Sequence, residues 1–290
     1  MRLSGKKAIV TGGSMGLGLC IAEAFVTEGA SVVICARDLE QLQQAEKKLR
    51  SLAGAKEQEV HSIVCDVADK AEVQALFEFA TNKLDGLDIL VNNAGVYGPL
   101  GAAEQVDSTQ WWSALQINLL GTFLTCQQAI EIFKQQKSGK IINLSGGGAT
   151  SPLPHISAYA ASKAAVVRLT ETLSEELKEF GIDINAIAPG ALNTRLMDEV
   201  LDAGPEVVGE DFHRSMVKQH ASGATPLEKG ALLCIYLGSN ESDGITGKLI
   251  SAVWDSWDEF NNHREDVENT DIYTLRRVVP KDRGMKWETL

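Results

Sequence analysis

The sequence predicts an α/β protein, a single doubly wound domain in which a parallel sheet of about seven strands carries helices on both faces. Three observations favour this fold. Short apolar runs alternate with helical patterns along most of the chain. The runs lack polar alternation, as strands buried on both faces do. The first run ends in a glycine-rich turn that opens a helix, which is typical of folds with a parallel sheet.

The elements follow one another in strand–helix order, so we expect right-handed crossover connections. The predicted strands are KAIVT (7–11), SVVICA (31–36), VHSIVCD (60–66), LDILVNN (87–93), KIINL (140–144), IDINAIAP (182–189) and GKLISAVW (247–254). The predicted helices are a segment with Leu17, Ile21 and Phe25 on one face, then 38–49, 71–84, about 107–136, 158–180 and 230–239.

The alternation of strands and helices is interrupted in two segments. The pattern otherwise fits one domain better than two. Residues 1–254 form the predicted domain, and residues 191–225 form a polar, partly helical insert within it. Loops after the carboxyl ends of parallel strands build ligand sites, so the insert should decide which substrate binds. Residues 255–290 form a mixed-charge C-terminal extension that should pack on the core or on a partner subunit.

Composition and charge exclude several classes of function. The net charge of −12 argues against nucleic acid or an anionic membrane as partner. No apolar run approaches the length of a transmembrane helix or of a signal-peptide core, so no membrane association is expected. The five cysteines are scattered without CxxC spacing, which predicts reduced core residues, a cytoplasmic location and no metal site.

The glycine-rich turn is the first candidate site. Gly12, Gly16 and Gly18 follow the first strand with GxxxGxG spacing. In dinucleotide-binding turns, one glycine allows the sharp turn, one lets the backbone approach pyrophosphate, and one lets the helix pack on the strand. The helix N-terminus then faces the phosphate charge. A glycine-rich turn without a ligand is the alternative, and the position after a first buried strand argues against it.

Five motifs in order resemble the short-chain dehydrogenase/reductase family. They are TGGSMGLG (11–18), NNAG (92–95), Asn118, Tyr159-Ala160-Ala161-Ser162-Lys163 and Pro189-Gly190. Their order and spacing match the family over about residues 5 to 253. The resemblance implies a Rossmann fold, a nicotinamide cofactor and oxidoreductase activity. It also implies a homodimer or homotetramer built around the long helices.

The choice of cofactor depends on the residues after the second strand. Ala36 stands where the NAD-binding members of the family carry an acid, and Arg37 follows it. Arg suits a 2′-phosphate by charge and by its planar fork, so NADP(H) is favoured. NAD(H) is the alternative if Asp38 reaches the ribose rather than capping the next helix. The resemblance implies that Asp66 and Val67 contact the adenine, that Asn93 supports the cofactor and that Thr194 contacts the nicotinamide carboxamide. With these, the predicted cofactor-binding set is Gly12, Ser14, Gly16, Leu17, Gly18, Arg37, Asp66, Val67, Asn93, Tyr159, Lys163 and Thr194.

Tyr159 and Lys163 are the predicted reacting pair. They are four residues apart in a helical segment and therefore share a face. An ammonium beside a phenol lowers the pKa of the phenol, which would make Tyr159 a general acid or base near neutral pH. The resemblance adds that Lys163 binds the nicotinamide ribose and that Asn118 holds a water in a proton relay. Alternatively, Asn118 is a polar residue that kinks a helix, and Asn93 mainly braces the central strand.

The stretch GKIINLSGGGAT (139–150) departs from the family pattern. That pattern places a serine 13 residues before the tyrosine, and this position holds Gly146. Ser145 is one residue earlier, and a shift of one residue in a strand turns the side chain to the other face. Three alternatives stay open. Ser145 acts because a glycine-permitted bulge re-aims it. Its role is taken by another group, which is Thr150, Ser151, Ser157, a water or a backbone N–H, or the group is absent.

Three functions follow from these alternatives. The main hypothesis is an NAD(P)-dependent oxidoreductase acting on a small carbonyl compound or secondary alcohol, sugar-like among others, with Tyr159, Lys163, Asn118 and Ser145 as catalytic residues. The second is an NADP(H)-binding sensor or scaffold in which Gly146 marks weak or lost catalysis. The third is an epimerase or lyase that uses nicotinamide transiently.

Overall fold

The computed structural model describes residues 1–55, 57–221 and 223–287. Seven strands are formed: β1 Lys7–Thr11, β2 Ser31–Ala36, β3 Val60–Val64, β4 Ile89–Asn92, β5 Gly139–Leu144, β6 Ile182–Ala188 and β7 Leu249–Ser251. They make one parallel sheet in the order β3-β2-β1-β4-β5-β6-β7. The predicted doubly wound α/β fold is therefore confirmed.

The helices that surround the sheet are α1 Gly16–Thr27, α2 Leu39–Leu52, α3 Lys70–Leu84, α4 Ser108–Leu115, α5 Gly121–Gln136, α6 Ser157–Leu177, α7 Arg195–Ala203, α8 Pro205–Val208, α9 Glu210–Ala221, α10 Leu227–Gly238 and α11 Arg264–Asn269. A π-helical turn, Gln116–Leu120, joins α4 to α5. Short 3-10 helices lie at Gly147–Ala149, Lys178–Phe180, Asn240–Ser242, Trp257–His263 and Pro280–Arg283.

The last strand is shorter than the sequence predicts. The apolar run 247–254 favours a strand over its whole length, yet β7 ends at Ser251. The Ser251 hydroxyl accepts hydrogen bonds from the backbone N–H groups of Val253 and Trp254, at 3.3 and 3.2 Å. A side-chain acceptor of this kind competes with the sheet ladder for the backbone donors, so the chain turns away.

Each face of the sheet carries its own hydrophobic core. Helices α1, α2 and α10 pack on one face, and α3, α5 and α6 pack on the other. Neighbouring strand residues alternate between the two cores: Val10 faces the first and Ile9 the second. Both cores are apolar, which explains why the strands show no polar alternation in the sequence.

The topology fixes where a ligand can bind. Strand β1 pairs with β2 on one side and with β4 on the other, so the connections leave these strands in opposite directions. The crevice at such a switch point, beyond the carboxyl ends of the strands, is where open α/β sheets bind ligands. The turn after β1 and the segment after β4 meet there.

The insert and the extension are both structured. The insert 191–225 contains α7, α8 and α9, and an isolated parallel β-bridge between Leu192 and Thr225 joins its two ends. The extension contributes Phe260 and Val267 to the core beside α1 and α10. Among the described residues, no helix is both long and apolar enough to cross a membrane.

Candidate active site

The turn after β1 is built by close contacts that demand glycine. A Cβ at Gly18 would lie 2.2 Å from the Gly12 carbonyl oxygen, and one at Gly12 would lie 2.9 Å from Ala94 Cα. Gly16 begins α1 with φ of 53°, a left-handed conformation that favours glycine. At Gly16 the nearest atom to an added Cβ is a Thr194 methyl 3.7 Å away. The backbone is therefore open to a ligand at the N-terminus of α1.

Asn93 ties this turn to the end of β4. Its side-chain amide donates to the carbonyl oxygens of Thr11 and Gly12, at 3.0 and 3.1 Å. The Thr11 hydroxyl accepts in return from the backbone N–H groups of Asn93 and Ala94, at 3.0 and 3.1 Å. Of the two roles that the sequence leaves open for Asn93, the geometry supports bracing.

A cavity lies beyond the carboxyl ends of the strands, next to the glycine-rich turn. Arg37 and Asp38, which are predicted to decide between NADP(H) and NAD(H), line this cavity together with Ser14. Arg37 forms a long ion pair with Asp66, 4.0 Å from Nη1 to Oδ2. Asp38 caps α2, because its carboxylate accepts from the backbone N–H of Gln41 at 2.9 Å. Val67 is buried beside Gly121, where an added Cβ would be 2.8 Å from a Val67 methyl.

Asn118 lies in the π-helical turn between α4 and α5 and is completely buried. Its carbonyl Oδ1 accepts from the backbone N–H of Val96 at 2.9 Å. Its Nδ2 donates to the Val96 carbonyl at 2.8 Å and to the Ser162 hydroxyl at 2.9 Å. π-Helical turns occur frequently at functional sites. Here the turn aims an amide that fixes the segment following NNAG.

Tyr159 and Lys163 project from the first turns of α6 and line the cavity. The Lys163 ammonium donates to the Leu144 carbonyl at 2.7 Å and lies 5.6 Å from the centre of the Tyr159 ring. Lys163 is 5% exposed, and burial lowers the pKa of its ammonium to about 8. The ammonium is therefore mostly charged at neutral pH.

The pKa of Tyr159 moves against the expectation from the sequence. Burial raises it, and the neighbouring phenol of Tyr97 raises it further. The lowering expected from Lys163 is not found, because burial, the largest cause of the shift, disfavours the phenolate. Tyr159 is thus a neutral hydroxyl at neutral pH.

Gly146, at the position where the family pattern has a serine, lies directly against Tyr159. Gly146 is extended, with φ of 174°, and an added Cβ would lie 2.6 Å from the Tyr159 hydroxyl oxygen. Ser145 lines the cavity, but its hydroxyl donates to the Lys163 carbonyl at 3.3 Å. The Tyr159 hydroxyl therefore occupies the space that a side chain at 146 would need.

Tyr97 is a site residue that the sequence analysis missed. Its ring meets that of Tyr159 edge to face, with ring centres 4.7 Å apart and planes at 84°. Burial and the carboxylate of Glu199 raise the pKa of the Tyr97 phenol, so it is a neutral donor. Tyr97 stands two residues after NNAG, and Asn118 holds the intervening Val96. Only its closeness to that motif could have singled it out.

The cavity that joins these groups has a volume of about 1170 Å³. Single ligand sites commonly measure about 300–1000 Å³, so this space suits a cofactor and a substrate together. The insert supplies Leu196, Phe212 and Met216 to its wall, and the region after β7 supplies Trp254. Thr194 also lines it and precedes α7 without a side-chain capping hydrogen bond.

Comparison with known proteins is consistent with this geometry. The family model described as short chain dehydrogenase matches residues 6–204. A 3beta-hydroxysteroid dehydrogenase 1 from Eggerthella lenta is 36% identical over 250 residues, 86% of this chain and 92% of that protein. An L-fucose dehydrogenase from Oryctolagus cuniculus is 34% identical over 242 residues, 83% of this chain and 81% of that protein. The crystal structure of levodione reductase superimposes with a TM-score of 0.79 at 27% identity, covering 86% of this chain and 96% of that one.

Proposed function

Because the chain belongs to the short-chain dehydrogenase/reductase family of NAD(P)-dependent oxidoreductases, we propose that it interconverts a carbonyl compound and a secondary alcohol, with Tyr159 moving the proton. The observation that carries this proposal is the meeting of Tyr159, Lys163 and the Gly12–Gly18 turn in one cavity. The relatives named for a hydroxysteroid and for L-fucose support an alcohol substrate, sugar-like or not.

The residues present fit a nicotinamide dinucleotide. The open, left-handed turn at Gly16 and the N-terminus of α1 would receive the pyrophosphate, and Val67 and Asp66 would border the adenine. The bound cofactor supplies or accepts the hydride. Two observations favour NADP(H): Arg37 is 57% exposed at the cavity, and the Asp38 carboxylate is already used as a helix cap.

The charge state of Tyr159 sets the proton step. In the reducing direction, its neutral hydroxyl donates a proton to the substrate oxygen as the carbonyl carbon receives the hydride, and an alcohol forms. Oxidation reverses this step and requires the phenolate, which the raised pKa disfavours. We therefore infer that carbonyl reduction is favoured at neutral pH and that alcohol oxidation gains with rising pH.

A second hydrogen bond to the substrate oxygen comes, in this proposal, from Tyr97. Ser145 is engaged with the α6 backbone, and Gly146 offers no side chain. The Tyr97 phenol is neutral, lies against Tyr159 and is held in place through Asn118 and Val96. Donors fixed in a site before the reaction stabilise developing charge without reorganisation.

The long helices support the proposal of a homodimer or homotetramer. Trp112, Leu120 and Phe123 on the α4–α5 segment are 59%, 39% and 40% exposed. Three large apolar side chains exposed on one helical segment favour an interface over a solvated face. Light scattering coupled to size exclusion should give a dimer or tetramer, and a monomer at micromolar concentration would contradict this.

The function is tested by fluorescence titration with NADPH and NADH, followed by a carbonyl and alcohol panel with the preferred cofactor. NADPH should bind more tightly, and at least one carbonyl compound should be reduced. Tyr159→Phe should retain NADPH binding and lose nearly all turnover. Binding without turnover on the whole panel would favour a non-catalytic sensor, whereas binding of neither nucleotide would overturn the proposal.

A further inference from the structure

Residues 270–276 of the C-terminal extension, called the clasp below, run beside the last strand of the sheet. The backbone N–H of Leu249 in β7 donates to the Tyr273 carbonyl at 2.7 Å. This hydrogen bond is made at the sheet edge, where an exposed strand would otherwise offer unpaired backbone groups. The clasp therefore belongs to the folded core rather than to a loose tail.

Two charged side chains of the core hold the clasp. Lys248 is 5% exposed, and its ammonium donates to the carbonyl oxygens of Thr270 and Ile272 at 2.9 and 3.2 Å. Glu171 on α6 is 8% exposed and accepts from the backbone N–H of Leu275 at 2.6 Å. Charge-assisted hydrogen bonds of this kind are short and strong. They fix the clasp on both sides of Tyr273.

The clasp also reaches the catalytic cavity. Tyr273 and Thr274 line the same cavity as Tyr159, together with Trp254 and Asp255. Tyr273 has φ of 59°, a strained conformation for an aromatic residue that persists only where its surroundings fix it. Its ring packs on Phe260 with ring centres 5.2 Å apart. The anchors described above supply the constraint that holds Tyr273 there.

The strand order shows which ligand the clasp would meet. Five strand spacings, about 24 Å, separate β7 from β2, which precedes Arg37 at the adenosine end. Only two spacings, about 10 Å, separate β7 from β5, which precedes Gly146. The clasp thus lies on the substrate side of the cavity, away from the part that the adenosine would fill.

The distance along α6 requires an elongated ligand. Arg168 donates a hydrogen bond to the Leu275 carbonyl, beside Tyr273. It follows Tyr159 by nine residues on the same helix, which corresponds to about 14 Å along the axis. A substrate that reacts at Tyr159 and also touches the clasp must extend over roughly this distance, less the reach of the Tyr273 side chain.

The wall of the cavity is both apolar and polar. Its apolar members include Leu153, Leu196 and Phe212. Tyr273 of the clasp and Asp255 are polar members, and the Asp255 carboxylate accepts from the backbone N–H of Ser251 at 2.6 Å. Burial and the Asp255 carboxylate raise the pKa of the Tyr273 phenol, which is therefore a neutral donor. Tyr273 and Asp255 line the same cavity, so its wall offers both a donor and an acceptor. A carboxylate accepts from a hydroxyl group and a phenol donates to one.

We propose that Tyr273 and Asp255 form a distal subsite, which binds a hydroxyl group on the end of an elongated, largely apolar ring alcohol or ketone remote from its reacting carbon. This inference rests on the proposed function, because it assumes that the substrate's other end reacts at Tyr159. It makes the clasp a specificity-determining element for the substrate and not for the cofactor.

The test measures binding without turnover. The full chain is loaded with NADPH, with which an alcohol cannot react, and is titrated calorimetrically with androstanediol, a rigid ring system with a hydroxyl at each end, and with its mono-alcohol androstanol. The wild type should bind the diol about tenfold more tightly, the effect of one well-formed hydrogen bond. Tyr273→Phe keeps the ring and should reduce this preference to about threefold or less.

Ile272→Ala is the matched control, because Ile272 is in the same segment and its side chain is 41% exposed. It should keep the diol preference, and both variants should keep the wild-type affinity for NADPH. Equal affinity for diol and mono-alcohol in the wild type, no binding of either, or an unchanged preference in Tyr273→Phe would each overturn the subsite. Turnover of smaller alcohols in that case would leave the proposed function standing. If the preference for the diol depends on Tyr273 but no alcohol or ketone is turned over, the subsite stands and only the proposed function is overturned.

Discussion

Restoring a serine at position 146 should impair this protein rather than improve it. An added Cβ would lie 2.6 Å from the Tyr159 hydroxyl oxygen, about 0.8 Å inside the 3.4 Å at which ordinary contacts begin. Tyr159 cannot swing aside freely, since its ring meets Tyr97 at 4.7 Å between ring centres. Gly146→Ser and Gly146→Ala should both displace the hydroxyl by a substantial part of an ångström.

The expected loss of rate follows from how strongly the rate depends on the position of the Tyr159 hydroxyl. A misplacement of about 1 Å can cost on the order of a hundredfold in rate, equivalent to about 2.7 kcal/mol of activation free energy. Overpacking should also lower the free energy of unfolding by about 1–3 kcal/mol. We therefore expect kcat to fall by about 10- to 100-fold in both variants, while the Kd for NADPH stays within about twofold.

Steady-state kinetics on the best carbonyl compound, with thermal unfolding in parallel, measures both effects. Gly147→Ser is the matched control, because no heavy atom of the described residues lies within 4 Å of an added Cβ there. It should retain most of the wild-type rate. A Gly146→Ser variant as fast as the wild type or faster would refute the reasoning, since Tyr159 would then accommodate the family's serine.

Three further outcomes are expected. Tyr97→Phe keeps the ring contact but loses the donor, so kcat/KM should fall by about 10- to 100-fold at unchanged Tm, and an unchanged rate would remove Tyr97 from the reaction. Lys163→Met should abolish turnover. It should also raise the free energy of unfolding of the cofactor-free protein by about 1–3 kcal/mol at pH 7. The reason is that the buried Lys163 ammonium, with its pKa lowered to about 8, destabilises the folded state of the wild type. That gain should be complete below pH 8 and shrink towards pH 10.5 as the wild-type lysine loses its proton, which urea unfolding at pH 7 and pH 10 would show. Ending the chain at residue 269 removes the carbonyl acceptors of Lys248 and the Leu275 N–H that Glu171 accepts, and should lower Tm by about 5–15 °C. A loss below about 2 °C would show that the clasp adds little to stability.

Features that depend on local pattern could be predicted from the sequence. The seven strands follow from continuous apolar runs, and the glycine turn follows from spacing. The pairing of Tyr159 with Lys163 follows from helical periodicity, which places residues four apart on one face. Each of these needs only neighbouring residues, and the structure brings Tyr159, Lys163 and Gly16 to one cavity.

Features that depend on tertiary surroundings were missed or misjudged. Helical spacing predicts that Lys163, four residues after Tyr159, lowers the pKa of Tyr159, but burial, which the spacing does not show, raises it. Tyr97 was overlooked because its contact with Tyr159 joins residues 62 positions apart. The C-terminal extension is expected from its sequence to pack on the core or on a partner subunit, yet no pattern could show that Lys248 and Glu171 hold the backbone of the clasp.

The hydrogen-bond network separates the reaction from the selection of substrate. Asn93 ties the glycine turn to β4, Asn118 ties the segment after β4 to α6 through Ser162, and Lys163 ties α6 to β5. The glycine turn and Tyr159 are thereby joined through buried polar contacts, which tolerate little change because an unsatisfied partner is costly. The clasp is anchored at other points, by Lys248 next to β7 and by Glu171 twelve residues after Tyr159 on α6. Changes at the clasp can therefore alter the choice of substrate while Tyr159 keeps its place.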